Sequence, residues 1–208
     1  MIITIIDYKM GNFAAIKNML KKLGYDSIVT SDPNVVSQAQ KIILPGVGSF
    51  DYGMENLKKL GLVEVLDQKV LYDKTPILGV CLGMQLLTKS SEEGKCNGLG
   101  YLDAKTIKFK FDVNNYNLKI PNMGWNTIKK LRKKSILDSD SNEQRFYFVH
   151  SYHVVCENHD DVLSITHYGI DFVSAFQNEN IIGCQFHPEK SHKFGLEVLK
   201  NFAELEVK

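Results

Sequence analysis

TPILGVCLGMQLL, residues 75–87, reads as a buried strand that stops at a glycine-flanked cysteine and resumes as an apolar helix. The junction GVCLG, Gly79 to Gly83, fits the G-x-nucleophile-x-G elbow, in which a strand turns sharply into a helix and presents its central side chain at the top of a sheet. Glycines suit such a turn because backbone segments meet there with no room for Cβ atoms. The central residue is held in a strained conformation that only the surrounding packing enforces. The position also favours a thiolate on Cys81, since a helix N-terminus offers free N–H groups and the positive end of the macrodipole. Taken alone, the same five residues fit a small buried cysteine between two packing glycines equally well.

Upstream, IITII (2–6) is an apolar, β-branched run, and Phe13, Ile16, Leu20 and Leu23 then recur at helical spacing up to Gly24. That pattern predicts a strand followed by an amphipathic helix with a glycine stop. DSIVT (26–30) and KIILPG (41–46) predict further strands, and YGMENLKKLGLVEVLDQKVLYD (52–73) is mostly helical in period. Short apolar runs alternating with helices imply crossover units and a parallel sheet covered on both faces. After about residue 95 the texture changes to strand-like runs separated by turns: AKTIKFKF, WNTIKKL, RFYFVHSYHVVC, VLSITHY, DFVSAFQN and NIIGCQFH. These predict added mixed or antiparallel strands. The chain closes on a helix with Phe194, Val198, Phe202 and Leu205 on one face. The charge run KKLRKKSILDSDSNEQ (129–144) reads as a solvated turn or short exposed helix, its basic and acidic halves nearly cancelling.

The 208 residues, 44% hydrophobic and 24% charged, suit one soluble globular domain over 1–208. A formal net charge of +1 gives no bulk attraction to nucleic acid or an anionic membrane, so function must reside in a site. MIITIIDYKMGN lacks a basic leader and reaches Asp7 too soon for a signal or membrane segment. Cys81, Cys96, Cys156 and Cys184 include no CxxC pair, which argues against a disulfide framework or zinc site and favours a reducing cytoplasm.

Well downstream of the elbow, GCQFHPEKS places His187 at a strand end, a proline that stops the ladder, and Glu189 two residues on. A thiol nucleophile needs a base for its proton, and the base needs a third group to fix its tautomer and stabilise the imidazolium. Separately, His187 fits a hydrogen-bonded strand-end histidine and Glu189 a surface carboxylate; beside the elbow they complete a Cys-His-Glu set. LPGVGSF (44–50) also ends a predicted strand, where open parallel sheets build their sites. It lacks the Gly-Lys-Ser/Thr of a phosphate loop. The better reading is an oxyanion strand, with a backbone N–H near Val47 or Gly48 acting beside that of Leu82. One such donor is worth roughly 2.7–4 kcal/mol of transition-state stabilisation.

These motifs in this order resemble the class I (triad) glutamine amidotransferases. DYKMGN, PGVGSF, GVCLGMQLL, PNMGWN, FYFVHSY and FHPEKSHKFGLEVLKNF are similar, more narrowly, to the HisH family, the glutaminase subunits of imidazole glycerol phosphate synthase, from Ile3 to about Phe202. The resemblance implies a flavodoxin-like α/β fold with a central, mostly parallel sheet and extra antiparallel strands in the second half. It implies a glutaminase that releases ammonia from L-glutamine, with Cys81 as nucleophile, His187 as acid and base, and Glu189 orienting it. Gln85 and the backbone around Ser151 and Tyr152 would hold the amino-acid end of glutamine. A HisF-like (β/α)8 barrel synthase subunit, in a 1:1 heterodimer, would receive the ammonia through a channel and make imidazole glycerol phosphate and AICAR. Trp125, Tyr147 and Lys190 match positions at that partner interface, and no metal or organic cofactor is implied.

Two residues depart from the family pattern: Lys9 stands where glycine is common, and Asn122 where histidine is frequent. Both lie near the implied partner face, so they bear on which partner is used. Related chains that feed a surface-polysaccharide sugar amidotransferase offer a second acceptor for the same chemistry. A stand-alone γ-glutamyl thiol hydrolase would use the elbow without a partner. A purely structural subunit would have no need of Cys81, His187 and Glu189.

Overall fold

The β-branched and apolar runs of the first half become short strands, and the segments of helical period between them cross over to the next strand. The computed structural model describes residues 1–111, 118–133, 135–141 and 143–206. Its strands are β1 (Ile2–Ile6), β2 (Asp26–Thr30), β3 (Lys41–Gly46), β4 (Ile77–Cys81), β5 (Ser90–Ser91), β6 (Ala104–Lys108), β7 (Asn122–Thr127), β8 (Lys129–Lys130), β9 (Arg145–His150), β10 (Tyr152–Cys156), β11 (Val162–Tyr168), β12 (Ile170–Asn178) and β13 (Ile181–Cys184). Its helices are α1 (Phe13–Lys22), α2 (Pro33–Val36), α3 (Phe50–Lys59), α4 (Leu62–Asp67), α5 (Leu82–Leu86) and α6 (His192–Glu204).

The main sheet runs β2-β1-β3-β4-β13-β12-β10-β6-β5, with β11 and β8 attached beside β12. From β2 to β13 all pairs are parallel; β12 then reverses against β13, and β10 and β6 continue antiparallel. β7 and β9 form a separate antiparallel ribbon. This is the α/β arrangement expected from the sequence, with the antiparallel strands in the second half. Alternation within the inner strands explains the two cores. Ile3, Ile5, Ile43 and Leu78 face α1 and α6 through Ile16, Leu20, Val198 and Phe202. Ile6, Ile42, Leu44 and Ile77 face α3 and α4 through Met54, Leu57, Leu62 and Leu66.

Three expectations need correction. The helical stretch 52–73 is broken at Gly61, whose φ of 64° ends α3 and starts α4, and it finishes as one wide π turn at Gln68–Tyr72. Leu205 lies just past α6 with extended backbone, although it still packs on the core. The charge run is not simply solvated. Lys129–Lys130 pair with β11, and Ile136 and Leu137 are fully buried; residues 134 and 142 of that run lie outside the described residues. One buried lysine also has a structural reason. Lys41 Nζ donates to the carbonyls of Phe202 (3.1 Å), Ala203 (2.6 Å) and Leu205 (2.7 Å), closing the C-terminal end of α6. Among the described residues no helix is long and apolar enough to cross a membrane, and all four cysteines are free.

Candidate active site

The strand order puts the C-terminal ends of β3, β4 and β13 side by side. Gly46 is in register with Cys81, and Cys184 with Val80. Every element that the motifs singled out therefore ends on one edge of the sheet, as ligand sites of open parallel sheets do.

Cys81 closes β4 and caps α5 with φ 54° and ψ −109°, a conformation that a non-glycine residue adopts only under constraint. The constraint is backbone contact. A Cβ on Gly83 would overlap the Leu44 carbonyl oxygen, and one on Gly79 would come within 2.7 Å of the Gly83 carbonyl oxygen and the Met84 nitrogen. The elbow is thus wedged between β3 and its own helix, with Cys81 only 7% exposed. Burial, reinforced by neighbouring negative charge, keeps the other three thiols protonated. Cys156 is pushed up to about 12, Cys184 is raised well above the ordinary thiol range, and Cys96 is raised as well. Of the four, Cys81 lines the pocket.

His187 follows β13 and is almost wholly buried. Its backbone N–H donates to the Tyr147 carbonyl at 2.9 Å, and its carbonyl accepts Ser191 Oγ at 2.6 Å. Nδ1 lies 2.8 Å from Glu189 Oε1, and both side chains are buried. A carboxylate there fixes a proton on Nδ1 and turns Nε2 to the other side of the ring. Nε2 makes no hydrogen bond within ordinary limits, yet Cys81 is close enough to act on the ring. Burial lowers the imidazole pKa, but Cys81 and Glu189 outweigh it and raise it from 6.5 to about 10. The arrangement favours an imidazolium held between a sulfur and a carboxylate.

Cys81 borders a cavity of about 150 Å³ that Val47, Gly48, Leu82, Gln85 and residues 149–152 also line; His187 and Glu189 lie behind the cysteine rather than in the cavity wall. Gly48 has φ 128°, which the turn after β3 reserves for glycine. Gln85 points inward rather than to solvent, its Nε2 donating to Tyr152 O at 3.2 Å and to Gln185 Oε1 at 3.0 Å. Ser151 and Tyr152 line the same cavity.

Three residues escaped the sequence reading, Gln185 behind Cys81 and Glu93 and His150 in the cavity wall. Gln185 donates to Cys81 Sγ at 3.7 Å; its place two residues before His187 was the available signal. Glu93 borders the cavity, with Oε2 accepting the Phe50 N–H at 2.9 Å. Burial raises its carboxyl pKa against that hydrogen bond. It sits in a polar loop, SSEEGKCNG, whose spacing carries no signal. His150 lines the cavity from the end of β9.

Trp125, Tyr147 and Lys190 gather on the neighbouring face. Trp125, 45% exposed, meets Tyr147 edge-on at 6.4 Å and stacks on His192 at 5.5 Å, and Lys190 Nζ lies 5.4 Å above the Tyr147 ring. Met123, two residues before Trp125 on β7, is 62% exposed. Lys9 takes φ 65° with its N–H on Asp7 Oδ1 at 2.9 Å, so it occupies the backbone conformation for which glycine is usually chosen. Among the described residues no three His, Cys, Asp or Glu side chains converge as a metal site requires.

The family model for glutamine amidotransferase class-I matches residues 4–205. A protein of Methanococcus maripaludis named imidazole glycerol phosphate synthase subunit HisH 2 is 56% identical over 96% of this chain and 98% of its own length. The HisH 2 subunit of Pseudomonas aeruginosa is 45% identical over 98% of this chain and 99% of its own. Among solved structures, PurLQS from Thermotoga maritima superposes with a TM-score of 0.75 at 16% identity, covering 98% of this chain and 97% of that one. At that identity the likeness speaks for the fold alone.

Proposed function

The chain belongs to the class I glutamine amidotransferase family, and from that premise we propose that it is the glutaminase subunit of an imidazole glycerol phosphate synthase, acting as one domain through Cys81, His187 and Glu189. The observation that carries the assignment of roles is the buried His187–Glu189 pair, 2.8 Å apart, beside a cysteine on a strained elbow.

The Cys81 thiolate attacks the carboxamide carbon of L-glutamine, forming the C–S bond and moving an electron pair onto the carbonyl oxygen. Backbone N–H groups of Leu82 and of the Val47–Gly48 turn receive that oxyanion. As the intermediate collapses, the C–N bond breaks and His187 Nε2 gives its proton to the leaving nitrogen, releasing ammonia and a glutamyl thioester. His187 then takes a proton from water, whose oxygen displaces Cys81 and frees glutamate. Gln85 and the Ser151–Tyr152 backbone hold the amino-acid end. Glu93 suits the α-ammonium, because an incoming cation offsets the desolvation that raises its carboxyl pKa.

Ammonia set free in water is protonated and lost to synthesis, so the product needs a covered route. The exposed Met123 and Trp125 strand, continuous with Tyr147 and Lys190, suits a HisF-like barrel subunit bound one to one, in a reducing cytoplasm where four free thiols persist. The test is glutamate release from L-glutamine, titrated with the histidine-pathway barrel subunit of the same organism and its nucleotide ligand. Stimulation that saturates near one to one, and that falls by about 10⁴-fold or more in Cys81→Ala, is the expected result. Absence of stimulation with a reactive Cys81 assigns the chain to another acceptor-bearing partner. Glutaminase activity that survives Cys81→Ala overturns the mechanism.

A further inference from the structure

An unbroken line of hydrogen bonds runs from the strand carrying Trp125 to the nucleophile. Asn122, first residue of β7, is buried with its amide Nδ2 3.1 Å from His150 Nε2. His150, last residue of β9, places Nδ1 2.7 Å from the Tyr152 carbonyl oxygen. That oxygen also accepts Gln85 Nε2 at 3.2 Å; the same amide donates to Gln185 Oε1 at 3.0 Å, and Gln185 Nε2 reaches Cys81 Sγ at 3.7 Å.

The proton positions along this line are dictated by chemistry. A carbonyl oxygen can only accept, so Nδ1 of His150 carries the hydrogen, and Nε2 presents its lone pair to the Asn122 amide. Phe109, Phe148 and Phe172 surround the ring, with centroids 5.3, 5.7 and 5.1 Å away, and fix its plane. Burial holds the imidazole neutral, its pKa lowered to about 3, against the hydrogen bond to Tyr152, which favours the charged form. A histidine that cannot take up a proton at working pH is unsuited to acid–base chemistry. It is well suited to fixing a backbone carbonyl. The carbonyl it fixes belongs to the pocket wall, and without its two donors that oxygen is left under-bonded in a buried site.

We propose that Asn122 and His150 are a positioning pair: they hold the Ser151–Tyr152 backbone, and Gln85 with it, in the arrangement that receives the amino-acid end of glutamine, while β7 sets the register of the pair. The proposal rests on the glutaminase reading above. It gives Asn122 a task inside the protein rather than at the partner surface.

The experiment measures KM and kcat for glutamine hydrolysis in the complex with the barrel subunit, together with the rate at which iodoacetamide alkylates Cys81. His150→Phe keeps the ring volume and loses both polar contacts. It is expected to raise KM by about ten-fold or more while kcat changes less and alkylation is unchanged. His150→Asn, whose side-chain N–H can stand where Nδ1–H stood, is expected to recover most of that loss. Asn122→Ala should shift KM in the same direction by a smaller factor, and it keeps the test valid if His150→Phe fails to fold. An unchanged KM in Asn122→Ala, or a His150→Asn no better than a folded His150→Phe, overturns the pair. The two failures are separable: glutamate release that survives Cys81→Ala overturns the glutaminase reading before any pair variant is made, whereas a Cys81-dependent activity whose KM is indifferent to these substitutions overturns the pair alone.

Discussion

The parallel sheet and the β7–β9 ribbon meet at the same pocket but are built on different physical terms. The ends of β3, β4 and β13 lie between two layers of helix, in contact with buried backbone on every side. They hold Cys81 in a conformation it would not adopt alone. In the ribbon each strand pairs only with the other, and β7 presents Met123 and Trp125 to solvent. It reaches the site through hydrogen bonds: Tyr147 O to the His187 N–H, Ser191 Oγ to the Tyr147 N–H, and His150 to the Tyr152 carbonyl. Close packing stores strain at Cys81, whereas the ribbon orients groups and leaves one face exposed. Cys81 thus sits in the closely packed region, and the hydrogen-bonded contacts of the ribbon in the more open one.

Paired glycines break this comparison most directly. Gly83→Ala would drive a Cβ into the Leu44 carbonyl, forcing α5 away from β3. It is expected to cost at least about 3 kcal/mol, the upper end of overpacking. Gly124, on the ribbon at φ 133°, has nothing within 4 Å of its ideal Cβ. Gly124→Ala should therefore cost only the backbone strain, about 1–2 kcal/mol. Urea midpoints of the two variants decide the matter, and equal losses would remove the distinction.

Glu189→Gln tests whether electrostatics or packing governs the triad. A neutral amide cannot hold the imidazolium, so kcat is expected to fall by about 10²–10⁴-fold in steady-state glutamate release. The same change has a pH signature. His187 is raised from 6.5 to about 10, so the stability it contributes is complete below about pH 6.5 and is lost as pH rises through about 10. Removing the carboxylate moves that alkaline loss to lower pH, which thermal melts between pH 6 and 10 would read out; an unshifted alkaline limb would mean that Glu189 does not support the charge.

The smallest effect is expected on the open face. Trp125→Ala removes a half-exposed ring, so the stability of the isolated chain should change by less than about 1 kcal/mol. Its affinity for the barrel subunit should weaken by about 2 kcal/mol, as truncation of a central aromatic anchor does. Calorimetric titration separates the two; a large loss of stability with unchanged affinity would make Trp125 a packing residue of the ribbon.

The parallel half was legible because its signals are local. A β-branched run, a glycine stop and the elbow motif each act over a few residues, so β1, β2 and β3 coincide with their predicted ranges, α1 and β4 fall within a residue or two of theirs, and the elbow glycines meet backbone where the motif required it. The stretch 52–73 is mostly helical as read, but its division at Gly61, one left-handed residue, was not foreseen. Lys129–Lys130 and Ile136–Leu137 were misjudged because charge density describes composition, whereas their burial depends on β11 and the core they meet. Glu93 and His150 had no local signature, since a loop carboxylate and a strand-end histidine look the same wherever they point.

The sequence by itself determined the α/β alternation, the glycine elbow and the chemical identity of the cysteine, histidine and glutamate, because each is written within a few neighbouring residues. Only the tertiary structure decided that β13 returns beside β4 and brings His187 to Cys81. The same is true of Gln85, which turns inward onto Gln185 and Tyr152, and of Asn122, which ties the open face to the pocket through His150. Those contacts join residues far apart in the chain, and they form only when burial of the two cores repays the entropy of closing the long loops between them.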